Sequence, residues 1–211
     1  MSTSDSSLLF SRRLLSIGAL SLRPNQPYIW TSGIHSPVYC DNRLTLSHPL
    51  LRAAITSAFA EVLRDEHPGV ECIAGTATAG IPQAALIADR LGLPMVYVRS
   101  SAKGHGKQNL IEGRLLPGQR VAVVEDTIST GGSALAAVAA LRAAGVQVHA
   151  VLAIFAYGFT DTERAFQNAD VALHTLTDFA TLIQAAQALG MIEPDETESL
   201  MRFREDPKAY A

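Results

Sequence analysis

Arg120–Val138 reads RVAVVEDTISTGGSALAAV: an apolar run, two adjacent acids, a cluster of hydroxyls and glycines, then an Ala-rich stretch. That order predicts a strand over Val121 to Glu125, a short turn, and a helix opened by glycine. A strand apolar at consecutive positions is covered on both faces, which implies a parallel sheet with crossover helices. In such a sheet, ligands bind outside the carboxyl ends of the strands, where Glu125 and Asp126 fall. Behind them, Thr127, Ile128, Ser129, Thr130, Gly131, Gly132 and Ser133 lead into a helix N-terminus. Its unpaired N–H groups and partial positive charge suit a phosphate. Carboxylates at the mouth of that cradle can accept hydrogen bonds from a ribose diol, or hold a cation that bridges to phosphates.

The rest of the chain repeats the pattern. Val70 to Ala74, Met95 to Arg99, Val148 to Phe155 and Val171 to Leu176 read as further strands. GIPQAALIADRLG (80–92), GSALAAVAALRAAG (132–145) and TDFATLIQAAQALG (177–190) read as helices, each closed by a glycine. The fold class is therefore α/β, with a central, mainly parallel sheet flanked by helices. Two helices, Ser6 to Ala19 and Pro49 to Arg64, are expected ahead of the sheet. Between them NQPYIWTSGIHSPVYCDNR (25–43), bent by Pro27, Gly33 and Pro37, predicts a small hood over one sheet edge. A single domain over 1–211 is expected, with a core at about 49–178 and the hood at about 20–48 joined by the C-terminal region. The closing stretch from Met191 reads as a surface helix with a frayed end.

The chain has 211 residues, 48% of them apolar and 18% charged, with a net charge of −3. That is enough to bury a full core, and it argues against a basic surface for nucleic acid. Only Cys40 and Cys72 occur, far apart and without companions at metal-ligand spacing, so neither a disulfide framework nor a zinc site is indicated. Both read as small buried hydrophobes in a reducing cytoplasm. Nothing approaches the roughly 18 uninterrupted apolar residues of a membrane span.

A second polar run, SSAKGHGKQNLIEG (Ser100–Gly113), carries two lysines, a histidine and three glycines between apolar stretches. Glycine lets backbone approach an anion and lysine supplies charge, but neither a P-loop ending nor a dinucleotide-binding glycine pattern is present. By itself the run does not decide a ligand.

Strand, two acids, then Thr/Ser and Gly: this segment resembles the ribose-phosphate signature of the type I phosphoribosyltransferases, with Glu125 where many members carry Asp. The 100–113 run with Arg99, Lys103, His105 and Gly106 is similar to the mobile catalytic loop of the orotate branch of that family. WTSGIHSPVYCDNR resembles the branch's N-terminal substrate segment, and GTATAGIPQAA its pyrophosphate loop. The likeness extends from about residue 10 to the C-terminus.

The resemblance implies transfer of a 5-phosphoribosyl group from phosphoribosyl pyrophosphate to orotate, in pyrimidine nucleotide synthesis. It implies Lys103, His105 and Asp126 as catalytic residues. Phosphoribosyl pyrophosphate would bind through Arg99, Lys103, His105, Glu125, Asp126, Thr127, Ile128, Ser129, Thr130, Gly131, Gly132 and Ser133. The pyrophosphate loop would be Ala77, Thr78, Ala79 and Gly80, with Ser129, Ser32 and Gly33 on orotate and Arg43 a further carboxylate partner. Magnesium would be held through the substrate and by Glu125 and Asp126. A cytoplasmic homodimer sharing the 100–113 loop across its interface is also implied, with no nucleic-acid or membrane partner.

As cations on that loop, Lys103 and His105 would meet the charge that grows on the leaving group, and glycines would let the loop close against water. Some relatives carry one further lysine between the Arg99 and Lys103 positions, where Ser100, Ser101 and Ala102 stand here, and a lysine at the positions of Thr31 and Ala79. Two other readings are a purine phosphoribosyltransferase of the same fold and a phosphoribosyl-pyrophosphate sensor that binds nucleic acid. Trp30 and Tyr39 are expected in the hood's core, His35 at the surface, and His149 and His174 as hydrogen-bonded structural histidines.

Overall fold

The structure, a computed structural model, describes residues 3–30, 33–101, 110–208 and 210. Ser32, Lys103 and His105 lie outside the described residues, as do Thr31, Ala102, Gly104, Gly106 and Lys107.

Helix α1 (Thr3–Ser16) leads into four short strands, β1 (Leu20–Leu22), β2 (Tyr28–Ile29), β3 (His35–Ser36) and β4 (Val38–Cys40). A 3₁₀ turn over Asn42–Ser47 connects them to α2 (Pro49–Glu66). The alternating half then runs β5 (Cys72–Thr76), α3 (Gly80–Leu91), β6 (Met95–Val98), β7 (Ile111–Glu112), β8 (Arg120–Ile128), α4 (Gly132–Ala143) and β9 (Gln147–Ala156). It finishes with α5 (Thr160–Asn168), β10 (Ala172–Asp178), α6 (Phe179–Ala188) and α7 (Pro194–Glu205).

The six-stranded sheet has the order β10-β9-β8-β5-β6-β7, parallel throughout except for β7, which runs antiparallel along β6. One apolar layer packs α1, α2, α3 and α6 on a face through Leu14, Ile55, Phe59, Ile87 and Leu182. On the opposite face α4 and α5 bring Ala134, Leu141 and Phe166 onto Val121, Val123 and Val151. Both faces are covered, which is why the central strands are apolar at successive positions. Chain order makes one further point: β5 leads by α3 to β6 on one side, while β8 leads by α4 to β9 on the other. The direction of winding therefore reverses between β5 and β8, and the crevice at such a switch point is where open α/β sheets take ligands.

Several boundaries differ from the sequence expectation. Strand β8 continues three residues past Glu125, with Thr127 opposite Phe155 and Ile128 opposite Ala156, so both acids lie within the strand and not after it. The ladder continues because β9 supplies partners that a single segment cannot reveal. Helix α5 was not expected; in TDTERAFQN only Thr162 and Phe166 are buried, too few apolar positions to announce a helix.

The C-terminal helix lies at the surface, as expected, but docks one side on the core. Leu200 and Phe203 of α7 are fully buried, and Phe203 meets Trp30, Tyr157, Phe159 and Phe179 at ring separations of 5.6 to 6.3 Å. Trp30 belongs to the hood's core as expected, edge-on to Tyr157 at 5.1 Å. Tyr39 does not: it is exposed and tilted against Tyr28 at 5.3 Å. His35 is exposed, and Cys72 is fully buried.

Candidate active site

Three strand-to-helix junctions meet at the carboxyl edge of the sheet around the switch point. On β8, Glu125 is buried and both carboxylate oxygens are engaged. Oε1 accepts from the Asp126 backbone N–H at 3.1 Å and Oε2 from the Ser133 hydroxyl at 3.0 Å. Asp126 is half-buried beside it, and burial followed by the adjacent Glu125 raises its carboxyl from 3.8 to about 7. The two acids therefore differ: Glu125 ties the start of α4 to the strand, and Asp126 is the half-buried acid with the raised carboxyl.

The loop then turns through Gly131, whose φ of 76° is open to glycine but strained for other residues. A Cβ there would also press on Phe166 at 2.8 Å. Gly131 caps α4 without any side-chain hydrogen bond, so the first-turn N–H groups of α4 carry no side-chain cap. Because Ser133 points its hydroxyl at Glu125, the cradle is built from backbone, with Thr130 exposed at its lip. Ser129 is held from behind, its carbonyl accepting from the Thr162 hydroxyl at 2.8 Å.

The neighbouring junction, Ala77–Gly80 after β5, has no charged side chain. It is fixed by close approach: the Thr76 hydroxyl donates to the Val124 carbonyl at 3.1 Å and the Ala77 N–H to the Val98 carbonyl at 2.8 Å. Gly80 packs so tightly on the Val124 carbonyl that no Cβ fits. Ala77, Thr78 and Ala79 are partly or fully exposed to the crevice edge. Beyond them, past the end of β6, Arg99 pairs with Glu112 at 3.4 Å, and its backbone N–H donates to the Leu110 carbonyl at 2.8 Å. The sheet order thus lines up the acids, the small-residue loop and Arg99 along one edge.

The hood closes the other side. Gly33, φ 84°, turns the hairpin between β2 and β3, and its N–H donates to the Trp30 carbonyl at 2.9 Å. Tyr28, Ile29, Trp30, Ile34 and Tyr39 then face Ser129 and Thr130 across a cleft of about 580 Å³. Arg43 is not available there as a bare cation, since it grips Asp41 with two hydrogen bonds of 2.7 and 2.9 Å.

One supporting residue, Asn42, was missed in the sequence, and Cys40 was read there only as a buried small hydrophobe. Asn42, almost fully buried, donates from Nδ2 to the Asp126 carbonyl at 2.8 Å and to the Thr127 hydroxyl at 3.0 Å, which anchors the hood's last residues to β8. Cys40 packs against the same Thr127 hydroxyl at 3.2 Å, and burial pushes its thiol up to about 12, so it is no nucleophile. The polar triplet Asp41–Arg43 was visible, but only tertiary pairing singles out Asn42.

A strand-borne acid pair beside a side-chain-uncapped helix N-terminus at the switch point defines a class. The family model described as a phosphoribosyl transferase domain matches residues 45–170. The orotate phosphoribosyltransferase of Bacillus caldolyticus is 52% identical over 198 residues, covering 94% of this chain and 96% of that one. The crystal structure of orotate phosphoribosyltransferase from Aeropyrum pernix superposes with a TM-score of 0.75 at 29% identity, over 87% of this chain and 99% of that chain. The chain belongs to the orotate phosphoribosyltransferase family. The structure of Leishmania donovani UMP synthase shares the fold at a TM-score of 0.79 and 24% identity, covering 95% of this chain but 42% of that chain.

Proposed function

We propose that this chain transfers the 5-phosphoribosyl group of phosphoribosyl pyrophosphate to N1 of orotate, releasing pyrophosphate and giving orotidine 5′-monophosphate. The bond from C1 of the ribose to the pyrophosphate oxygen breaks, the bond from C1 to N1 forms, and the N1 proton is lost. The arrangement of Glu125, Asp126 and the α4 N-terminus around one crevice carries this reading. The backbone N–H groups at Gly132 and Ser133 take the 5′-phosphate, and Asp126 accepts hydrogen bonds from the ribose diol. The Ala77–Gly80 loop receives the leaving pyrophosphate on backbone donors. Orotate lies in the cleft between the hood and Ser129, where aromatic walls fit a planar ring.

Glu125 and Asp126 offer hard carboxylate oxygens, the donor type magnesium prefers, with both Glu125 oxygens and Asp126 Oδ2 already accepting hydrogen bonds from the protein. Bound with the substrate, magnesium would offset the charge that grows on the departing pyrophosphate. Lys103 and His105 would supply further positive charge, and a homodimer in the cytoplasm would share the loop that carries them.

The test is orotate absorbance after mixing the protein with magnesium and phosphoribosyl pyrophosphate, with adenine, guanine, xanthine and uracil in parallel. Consumption of orotate alone, dependent on both additions, is expected. A purine consumed in preference, or phosphoribosyl pyrophosphate bound without turnover of any base, would overturn it.

A further inference from the structure

At the opposite edge of the sheet, away from the acids, His67 closes the C-terminus of α2 and His174 lies on the outermost strand β10. Their Nε2 atoms are 2.8 Å apart, with the rings nearly perpendicular at 77°. Glu66 Oε2 lies 3.7 Å from His174 Nδ1, too long for a hydrogen bond. One ligand atom from each of Glu66, His67 and His174 falls within 4.8 Å of the others.

We propose that Glu66, His67 and His174 form a binding site for a borderline transition-metal ion of the Zn²⁺ type, separate from the active site. Two imidazole nitrogens and a carboxylate oxygen make the three-ligand set that zinc accepts, with water completing a tetrahedron. Bonds of about 2.0–2.1 Å in that geometry place ligand atoms about 3.3 Å apart. The rings need to open by only about half an ångström, and Glu66 is exposed at the helix end with its ligand atom already within 4.8 Å of those of both histidines. Both histidines are half-buried, so their rings are positioned by packing while the site stays open to solvent. Magnesium, which prefers oxygen, would not compete here. The ion would clamp the end of α2 to the edge strand, so its effect is on stability and not on turnover.

The experiment titrates the chelator-treated full chain with Co²⁺ and follows the visible bands of a tetrahedral site, then displaces the Co²⁺ with Zn²⁺. One equivalent should saturate the bands, and Zn²⁺ but not Mg²⁺ should raise the melting temperature. His67→Ala or His174→Ala should weaken Zn²⁺ binding by roughly 100-fold and Glu66→Gln by about 10-fold, with Asp126→Asn leaving the bands intact. A wild-type chain that shows no stoichiometric tetrahedral spectrum overturns the proposal without recourse to any variant. So do bands that survive both histidine substitutions in folded protein.

Discussion

The two junctions on either side of the switch point do similar jobs with opposite means. After β8, side chains define the site: Glu125 holds Ser133, Asp126 carries the raised pKa, and Gly131 leaves the α4 donors without a side-chain cap. After β5, the side chains are methyls and one hydroxyl, and the loop is shaped by Gly80 against the Val124 carbonyl. Chemistry in the first junction depends on charge and hydrogen bonding. In the second it depends on how closely two backbones approach, so a methyl group there should do more harm than the loss of a charge next door.

Gly80→Ala is expected to have the largest effect, because the added carbon meets backbone that cannot yield. A loss of about 3 kcal/mol in urea unfolding, with turnover abolished, is the expected result; unchanged stability would mean the junctions do not differ as described. Asp126→Asn should leave the fold intact and lower kcat/KM for the proposed transfer by about 100-fold, read by initial rates with orotate. Ser133→Ala removes one hydrogen bond to a carboxylate at a partly exposed position and should cost about 1 kcal/mol, with a several-fold rise in KM for phosphoribosyl pyrophosphate.

A further effect is confined to a pH window and is read in stability alone. The folded chain keeps a proton on Asp126 up to about pH 7 that the unfolded chain releases near 3.8. The stability this contributes is fully present below about pH 4 and is lost as the pH climbs to about 7. Asp41 and Glu71, both held below their ordinary values by Arg43 and Arg120, act in the opposite direction. The measurement is therefore the difference in melting temperature between wild type and Asp126→Asn across that window. It should shift by a few degrees in favour of the variant as the pH rises.

The β8 junction was legible in the sequence because its chemistry is local: apolar run, acids, glycines and helix follow one another in a single stretch. The sheet, its parallel order and most helices were legible for the same reason, through periodicity. What escaped depends on partners distant in the chain. Nothing in the sequence marks Asn42 until the hood sits against β8, and β8 outlasts its apolar run because Phe155 and Ala156 lie alongside. Helix α7 reads as polar from end to end, with Leu200 and Phe203 its only fully buried residues, yet Phe203 joins the aromatic cluster behind Trp30. Arg99 beside Glu112 depends on β7 folding back along β6, a pairing of two residues that no pattern announces.

The aromatic cluster has a kinetic consequence. Trp30 meets Phe203, the Asn25 amide donates to Glu196 at 2.8 Å, and the Tyr210 hydroxyl donates to the Pro24 carbonyl at 3.1 Å. Closing so long a loop costs entropy that is recovered only when the sheet already presents Tyr157 and Phe159, so the base cleft should assemble after the core. Trp30 is the chain's single tryptophan. Its fluorescence in a refolding experiment therefore reports that late step alone, and a Trp30 phase as fast as sheet formation would place the hood in the folding nucleus.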